Sequence, residues 1–151
     1  MVEKSRADIE TELVAKAKQI WSERDGAEWK DAVKEDNFIV RQKWENDAPM
    51  ITIEASYKEV FPDQFKTLFE NINEMQIKFN KNIESIEVVA EVDGKKVIRS
   101  KGKSPNIAVG ARIFLNTQYP RFDCNGNEDD FEFLVSGVGN ESLAAEHLTE
   151  Q

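Results

Sequence analysis

His147 is the only histidine of the chain and Cys124 its only cysteine. A zinc site of the His/Cys type needs three or four such ligands, so one of each cannot build it. A cysteine nucleophile needs a base beside its thiolate. Cys124 falls in a predicted hairpin loop and His147 far from it in sequence, so this pairing is not expected. The stretch Asp123-Cys124-Asn125-Gly126-Asn127 begins like a calcium loop. Glu128 stands where that loop needs glycine, however, and Leu134 where it needs its last carboxylate, so a solvated hairpin tip is expected. Asp129 and Asp130 are neighbours on an extended stretch and point to opposite sides. No Walker or Rossmann glycine loop is present. Asn140-Glu141-Ser142 matches a glycosylation sequon by pattern alone. These residues give no basis for an enzyme, and no cofactor or metal is expected.

The balance of charge narrows the partners. The 151 residues carry a formal net charge of −9, and no Lys or Arg occurs from Asp123 to Gln151. Nucleic-acid binding relies on Lys and Arg to neutralise phosphates, so no nucleic-acid partner is expected. The acidic end reads as a solvated surface. No stretch approaches the roughly 18 consecutive apolar residues of a membrane helix. Met1-Val2-Glu3-Lys4-Ser5-Arg6 leads into charge rather than an apolar run, which does not suit a secretory signal. A lone cysteine forms no internal disulfide and suits the cytosol. The expectation is a soluble, cytoplasmic chain forming one domain over residues 1–151.

The elements that would position a site follow from periodicity. Ser5 and Asp8 resemble a capping box. Ile9, Leu13, Ala17, Ile20 and Trp21 recur at helical spacing, predicting a helix from about Ser5 to Glu23 that stops near Asp25-Gly26. Its polar face is not basic, so core packing is favoured over a membrane-surface role. Phe38–Trp44 and Met50–Ser56 read as strands joined by the turn Asn46-Asp47-Ala48-Pro49. Pro62 opens a helix with Phe61, Phe65, Leu68, Phe69 and Ile72 on one face, and a second helical piece reaches about Phe79. Ile83–Val92, Lys95–Lys101, Ala111–Tyr119 and Asp130–Val138 then read as strands, with Asp93-Gly94 and Asn125-Gly126 as hairpin signals. Asn140–Gln151 reads as a short helix. The class is α+β, an antiparallel sheet packed on helices.

This order of elements is similar to the START-like, helix-grip family. The resemblance covers roughly Trp29 to Val138. Trp29-Lys30 follows the first helix. Tyr57-Lys58-Glu59-Val60-Phe61-Pro62-Asp63-Gln64-Phe65 looks like the family's strand-to-helix turn. Ile77-Lys78-Phe79-Asn80-Lys81-Asn82-Ile83 with the strand to Val89 looks like its Lys-Trp-Asp stretch, with Phe79 and Asn80 in place of the tryptophan and aspartate. Val97-Ile98-Arg99 matches the next strand. Ala111-Arg112-Ile113-Phe114-Leu115 is similar to its Arg-Asp-Phe-Val strand, with Ile113 replacing the aspartate. The resemblance implies a curved antiparallel sheet wrapping a long helix around a ligand tunnel. Sterol-carrying members place an acidic residue and an arginine in that tunnel. The matching positions here hold Arg99 and Gln118, which implies a ligand with an acidic or phosphate head. The family's final strands and lid helix have no counterpart, so an open sheet edge near Phe131 to Val138 is expected, paired with another chain as a homodimer. The alternatives are a fragment or a reduced relative.

Along the third of these last four strands, Arg112, Phe114, Asn116 and Gln118 form one alternating set and Ile113, Leu115, Thr117 and Tyr119 the other. The family comparison puts the first set inward, with a pocket. The other assignment turns the more apolar set to the helices and leaves Arg112 exposed. On the first, Arg99 and Gln118 hold a polar head, and the tail lies along Ile86, Val88, Phe114 and Phe133, with Val97, Asn116 and Arg112 nearby. The competing account pairs Arg99 with Glu87 or Glu91 across the hairpin. Three functions stay open: a carrier of a lipid or other apolar molecule, with transient membrane-surface contact; a protein-interaction module of the chaperone-regulator kind; and an enzyme of the same fold, for which Tyr57 and Tyr119 are the only tyrosines.

Overall fold

The computed structural model describes residues 4–122, 124–127 and 129–148. Among them are four helices and seven strands, the strands falling into two separate antiparallel sheets. The α+β class is as expected, although the strands do not form one continuous sheet. The chain divides into two compact units, Glu12–Val60 and Met1–Thr11 with Phe61–Gln151.

Helix α1 (Arg6–Glu23) begins where Ser5 Oγ accepts the Asp8 amide at 3.2 Å, satisfying one of the free donors of a helix start. It ends in a turn closed by Gly26 N–H on the Glu23 carbonyl. In the Glu12–Val60 unit, β1 (Lys30–Lys34), β2 (Phe38–Glu45) and β3 (Ala48–Ala55) form a meander in the order β1-β2-β3. The β2–β3 turn is tighter than the sequence suggested. Asn46 and Asp47 both adopt left-handed φ, 50° and 63°, as a two-residue hairpin turn requires. Ala48 and Pro49 therefore join β3, an outer strand where proline is tolerated. Strand β1 was not anticipated: all five of its residues are exposed, so it carries no periodic apolar signal and owes its form to pairing with β2.

The other unit holds α2 (Pro62–Glu70), α3 (Ile72–Phe79), β4 (Ile83–Val92), β5 (Lys95–Gly102), β6 (Ile113–Phe122), β7 (Phe131–Ser136) and α4 (Glu141–His147). Pro62 sits at the start of α2, and the Gln64 side chain accepts the Phe61 amide at 2.8 Å. The four strands run antiparallel in the order β4-β5-β6-β7, as the hairpin signals predicted. Asp93 and Gly94 take left-handed φ at the β4–β5 turn, as do Asn125 and Gly126 in the β6–β7 loop. Asp123 and Glu128 of the calcium-loop-like stretch lie outside the described residues, as do Thr149–Gln151 of the expected last helix. Among the described residues β7 is the last strand of this sheet, so Phe131–Ser136 lies at its edge, within the expected stretch.

Strand register assigns the two faces of this sheet. One face carries Val97, Arg99 and Lys101 of β5, Ile113, Leu115, Thr117 and Tyr119 of β6, and Leu134 and Ser136 of β7. Val97, Leu115, Thr117 and Tyr119 are buried there, with Arg6 and Ile9 of α1 and Asn140. Gly139, at φ 84°, lets Arg6 and Ile9 approach where any side chain would collide. The core against α1 therefore takes the more apolar set of β6; Arg112 and Phe114 are exposed, and Phe114, Asn116 and Gln118 turn to the opposite face. The reason is packing. The odd-numbered residues offer a continuous apolar and β-branched surface to the start of α1, and the even set does not.

Candidate functional site

The opposite face of the four-stranded sheet carries Ile86 and Val88 of β4, Ile98 of β5, Phe114, Asn116, Gln118 and Phe122 of β6, and Phe131, Phe133 and Val135 of β7. Helices α2 and α3 cover one end of it. The Phe69 ring lies 5.4 Å from that of Phe131 and 5.5 Å from that of Phe133. Asn73 of α3 and Gln118 of β6 exchange amide hydrogen bonds: Gln118 Nε2 donates to Asn73 Oδ1 at 2.7 Å, and Asn73 Nδ2 returns one to Gln118 Oε1 at 3.4 Å. Gln118 is buried, so it needs this partner.

Beside that amide pair is a cleft of about 220 Å³, walled by Phe69, Ile72, Pro120, Phe122 and Phe133 and edged by Asn73, Gln118 and Lys96. Apolar walls with a few polar groups are the usual make-up of a small-molecule site. The volume is below the roughly 300–1,000 Å³ of drug-sized pockets, so an occupant of that size would extend out of it. The same face offers a continuation. Val88 is 53%, Phe114 52% and Val135 49% exposed, where a sheet face normally buries such side chains.

Register separates the expected site residues. Gln118, Phe114, Asn116, Ile86, Val88 and Phe133 share this face, as the ligand reading required. Arg99 and Val97 are on the other face, Val97 fully buried against Thr117. Arg99 therefore does not head a ligand lying on Gln118 and Phe114. It pairs across the hairpin with Glu87 at 3.4 Å, the competing account, and donates from Nε to the His147 carbonyl at 2.7 Å. Arg112 precedes β6 and is exposed, its carbonyl accepting the Gly102 amide. Phe69, Ile72, Asn73, Phe122 and Lys96 join the site only through the fold. Phe69 and Ile72 were legible as the apolar face of their helix. Asn73 is an ordinary polar helix residue that gave no signal.

A larger cleft of about 450 Å³ surrounds Arg99 on the core side of the sheet, lined by Glu84, Glu87, Arg99, Lys101, Glu146 and His147. Its cations already meet carboxylates, Arg99 with Glu87 and Lys101 with Glu84 at 3.3 Å. A set balanced in this way offers little net attraction to an anion. Cys124 and His147 have separate surroundings. The Cys124 thiol lies beside the Glu132 carboxylate and the Asp130 carbonyl, and the His147 ring beside Glu146. Burial and then Glu132 hold the Cys124 thiol above its ordinary pKa, the opposite of an activated nucleophile. Among the described residues no helix is long and apolar enough to cross a membrane. No family model and no curated protein matches the chain.

Proposed function

We propose that the chain is a START-like, non-enzymatic carrier that holds an apolar or amphipathic small molecule, such as a lipid, against the sheet face shared with α2 and α3. The observation that carries this reading is the cleft at Gln118, whose aromatic walls adjoin a sheet face with Val88, Phe114 and Val135 left exposed. The polar head lies at Lys96 and the Asn73–Gln118 pair, replacing the Arg99 anchor. The tail follows β6 toward Phe114, four residues and about 13 Å from Gln118 at strand spacing. Such a ligand removes from water the apolar surface that the fold leaves open, worth about 25 cal/mol per Å². The helix-grip tunnel, the cytoplasmic setting and transient contact with membranes belong to the same reading. A protein-interaction module is the second reading. The open β7 edge beside Val135 favours it, since unpaired strands accept further strands.

Titration with a fluorescent fatty acid tests the carrier reading. Phe114→Asp should raise the dissociation constant about tenfold or more, because it places a charge in the tail path. Its exposed position spares the fold. Arg99→Ala should leave affinity within about twofold, since that residue faces away. Equal affinity of wild type and Phe114→Asp, or saturation by neither, would refute the proposal.

A further inference from the structure

The three-stranded sheet of the Glu12–Val60 unit carries most of its charges on one face, with Ile39 and Met50 among them, and a largely uncharged, mostly apolar set on the other. Register places Arg41 and Lys43 of β2 with Thr52 and Glu54 of β3 on the first face. There Arg41 meets Asp25, Asp31 and Glu54, Lys43 meets Glu28, and Lys16 of α1 reaches Glu45. The second face brings Val40 opposite Ile53, Gln42 opposite Ile51 and Trp44 opposite Pro49, with Val33 of β1 beside Val40. Trp44 is 66%, Ile51 60%, Ile53 66% and Val33 41% exposed. Lys30, opposite Gln42 at the β1 margin, is the one formal charge that register puts on this face. A contiguous exposed apolar face of this kind marks an interaction surface.

Three features select the occupant. Acidic residues outnumber Lys and Arg in Glu12–Val60, so an anionic bilayer is not attracted. The edges of the sheet are blunted. A two-residue turn makes Glu45 and Ala48 the hydrogen-bonded pair, so the amide missing at Pro49 falls on the open side of β3, and β1 is interrupted by a bulge between Asp31 and Val33. Addition of an extended peptide is therefore disfavoured, and association runs through the face. Finally, a face with almost no charge opposes its own copy without repulsion.

We propose that this face packs on the same face of a second copy, two three-stranded sheets stacked about 10 Å apart around a twofold axis. At strand spacings of about 4.8 Å and 3.3 Å per residue the face measures roughly 14 Å by 26 Å. That is small beside the roughly 800 Å² per partner of a standard interface, so the dimer is weak and concentration-dependent. This contact is independent of the ligand cleft and of the β7 edge.

Sedimentation velocity from about 10 µM to about 1 mM tests it, a range that brackets a weak association. The wild type should pass from monomer to dimer. Ile53→Glu should weaken association at least tenfold with an unchanged far-ultraviolet circular dichroism spectrum, because the side chain is exposed. Val135→Glu, beside the open edge of the other sheet, should dimerise as the wild type does. A monomer throughout the range, a dimer that Ile53→Glu leaves intact, or loss of dimer in Val135→Glu would overturn the proposal. So would a monomer that instead co-sediments with neutral phosphatidylcholine vesicles.

Discussion

Asn140 accepts hydrogen bonds from Arg6 at 2.9 Å and from Thr117 at 3.0 Å on its carboxamide oxygen, and donates from Nδ2 to the Leu115 carbonyl at 3.2 Å. All three side chains, Asn140, Arg6 and Thr117, are buried. Asn140→Ala would leave a guanidinium and a carbonyl without these partners in the core. A loss of about 2–4 kcal/mol is expected in urea unfolding, because a buried polar group left unpaired costs its full desolvation. Glu54 gives a pH-dependent counterpart. Hydrogen bonds from Arg24 and then Arg41 hold its carboxyl below the ordinary value of 4.5. Its contribution to stability is complete above that value and is lost as pH falls through the lowered one. Acid unfolding should therefore be less steep below about pH 4.5 in Glu54→Gln than in wild type. Cys124 should alkylate more slowly than an ordinary thiol at neutral pH, and Glu132→Gln should speed it in part, since burial and then the neighbouring carboxylate hold the thiol protonated.

At the scale of elements, the hairpin turns and most strands were readable because their residue types are tied to backbone conformation. Ile83–Val92 is a strand from end to end as expected, and Pro62 opens α2. Pro49 suggests a four-residue turn, whereas the turn is Asn46-Asp47 alone and the outer strand accepts the proline. Asp47, at φ 63°, holds a conformation that suits glycine better. Asp47→Gly should stabilise the hairpin by about 0.5–1 kcal/mol in thermal unfolding, the relief of left-handed strain outweighing the added chain entropy. The site was only half legible for a related reason. Alternation within β5 and within β6 was visible, but the ten-residue stretch between them hid how the two phases match. Register fixes Arg99 opposite Leu115 and therefore away from Gln118. A one-residue slip would have put Arg99 on the Gln118 face, and no local signal distinguishes the two. Asn73 was invisible for a different cause. Its importance comes from the buried amide it meets 45 positions later, not from its own surroundings in sequence.

At the scale of the molecule, the chain combines a net charge of −9 with a set of exposed large apolar side chains. Composition made the acidity plain. It could not reveal that the strands divide into two sheets, since that depends on which strands meet rather than on what they contain. The proposed lipid-like ligand lies on the α2/α3 side of the four-stranded sheet. Native mass spectrometry of protein purified gently from cells addresses it most directly. The expected spectrum shows a mass adduct that organic solvent extracts as an amphipathic molecule and that is depleted in Phe114→Asp. A spectrum of bare chain alone, with no adduct regained after incubation with fatty acid or phospholipid, would contradict it.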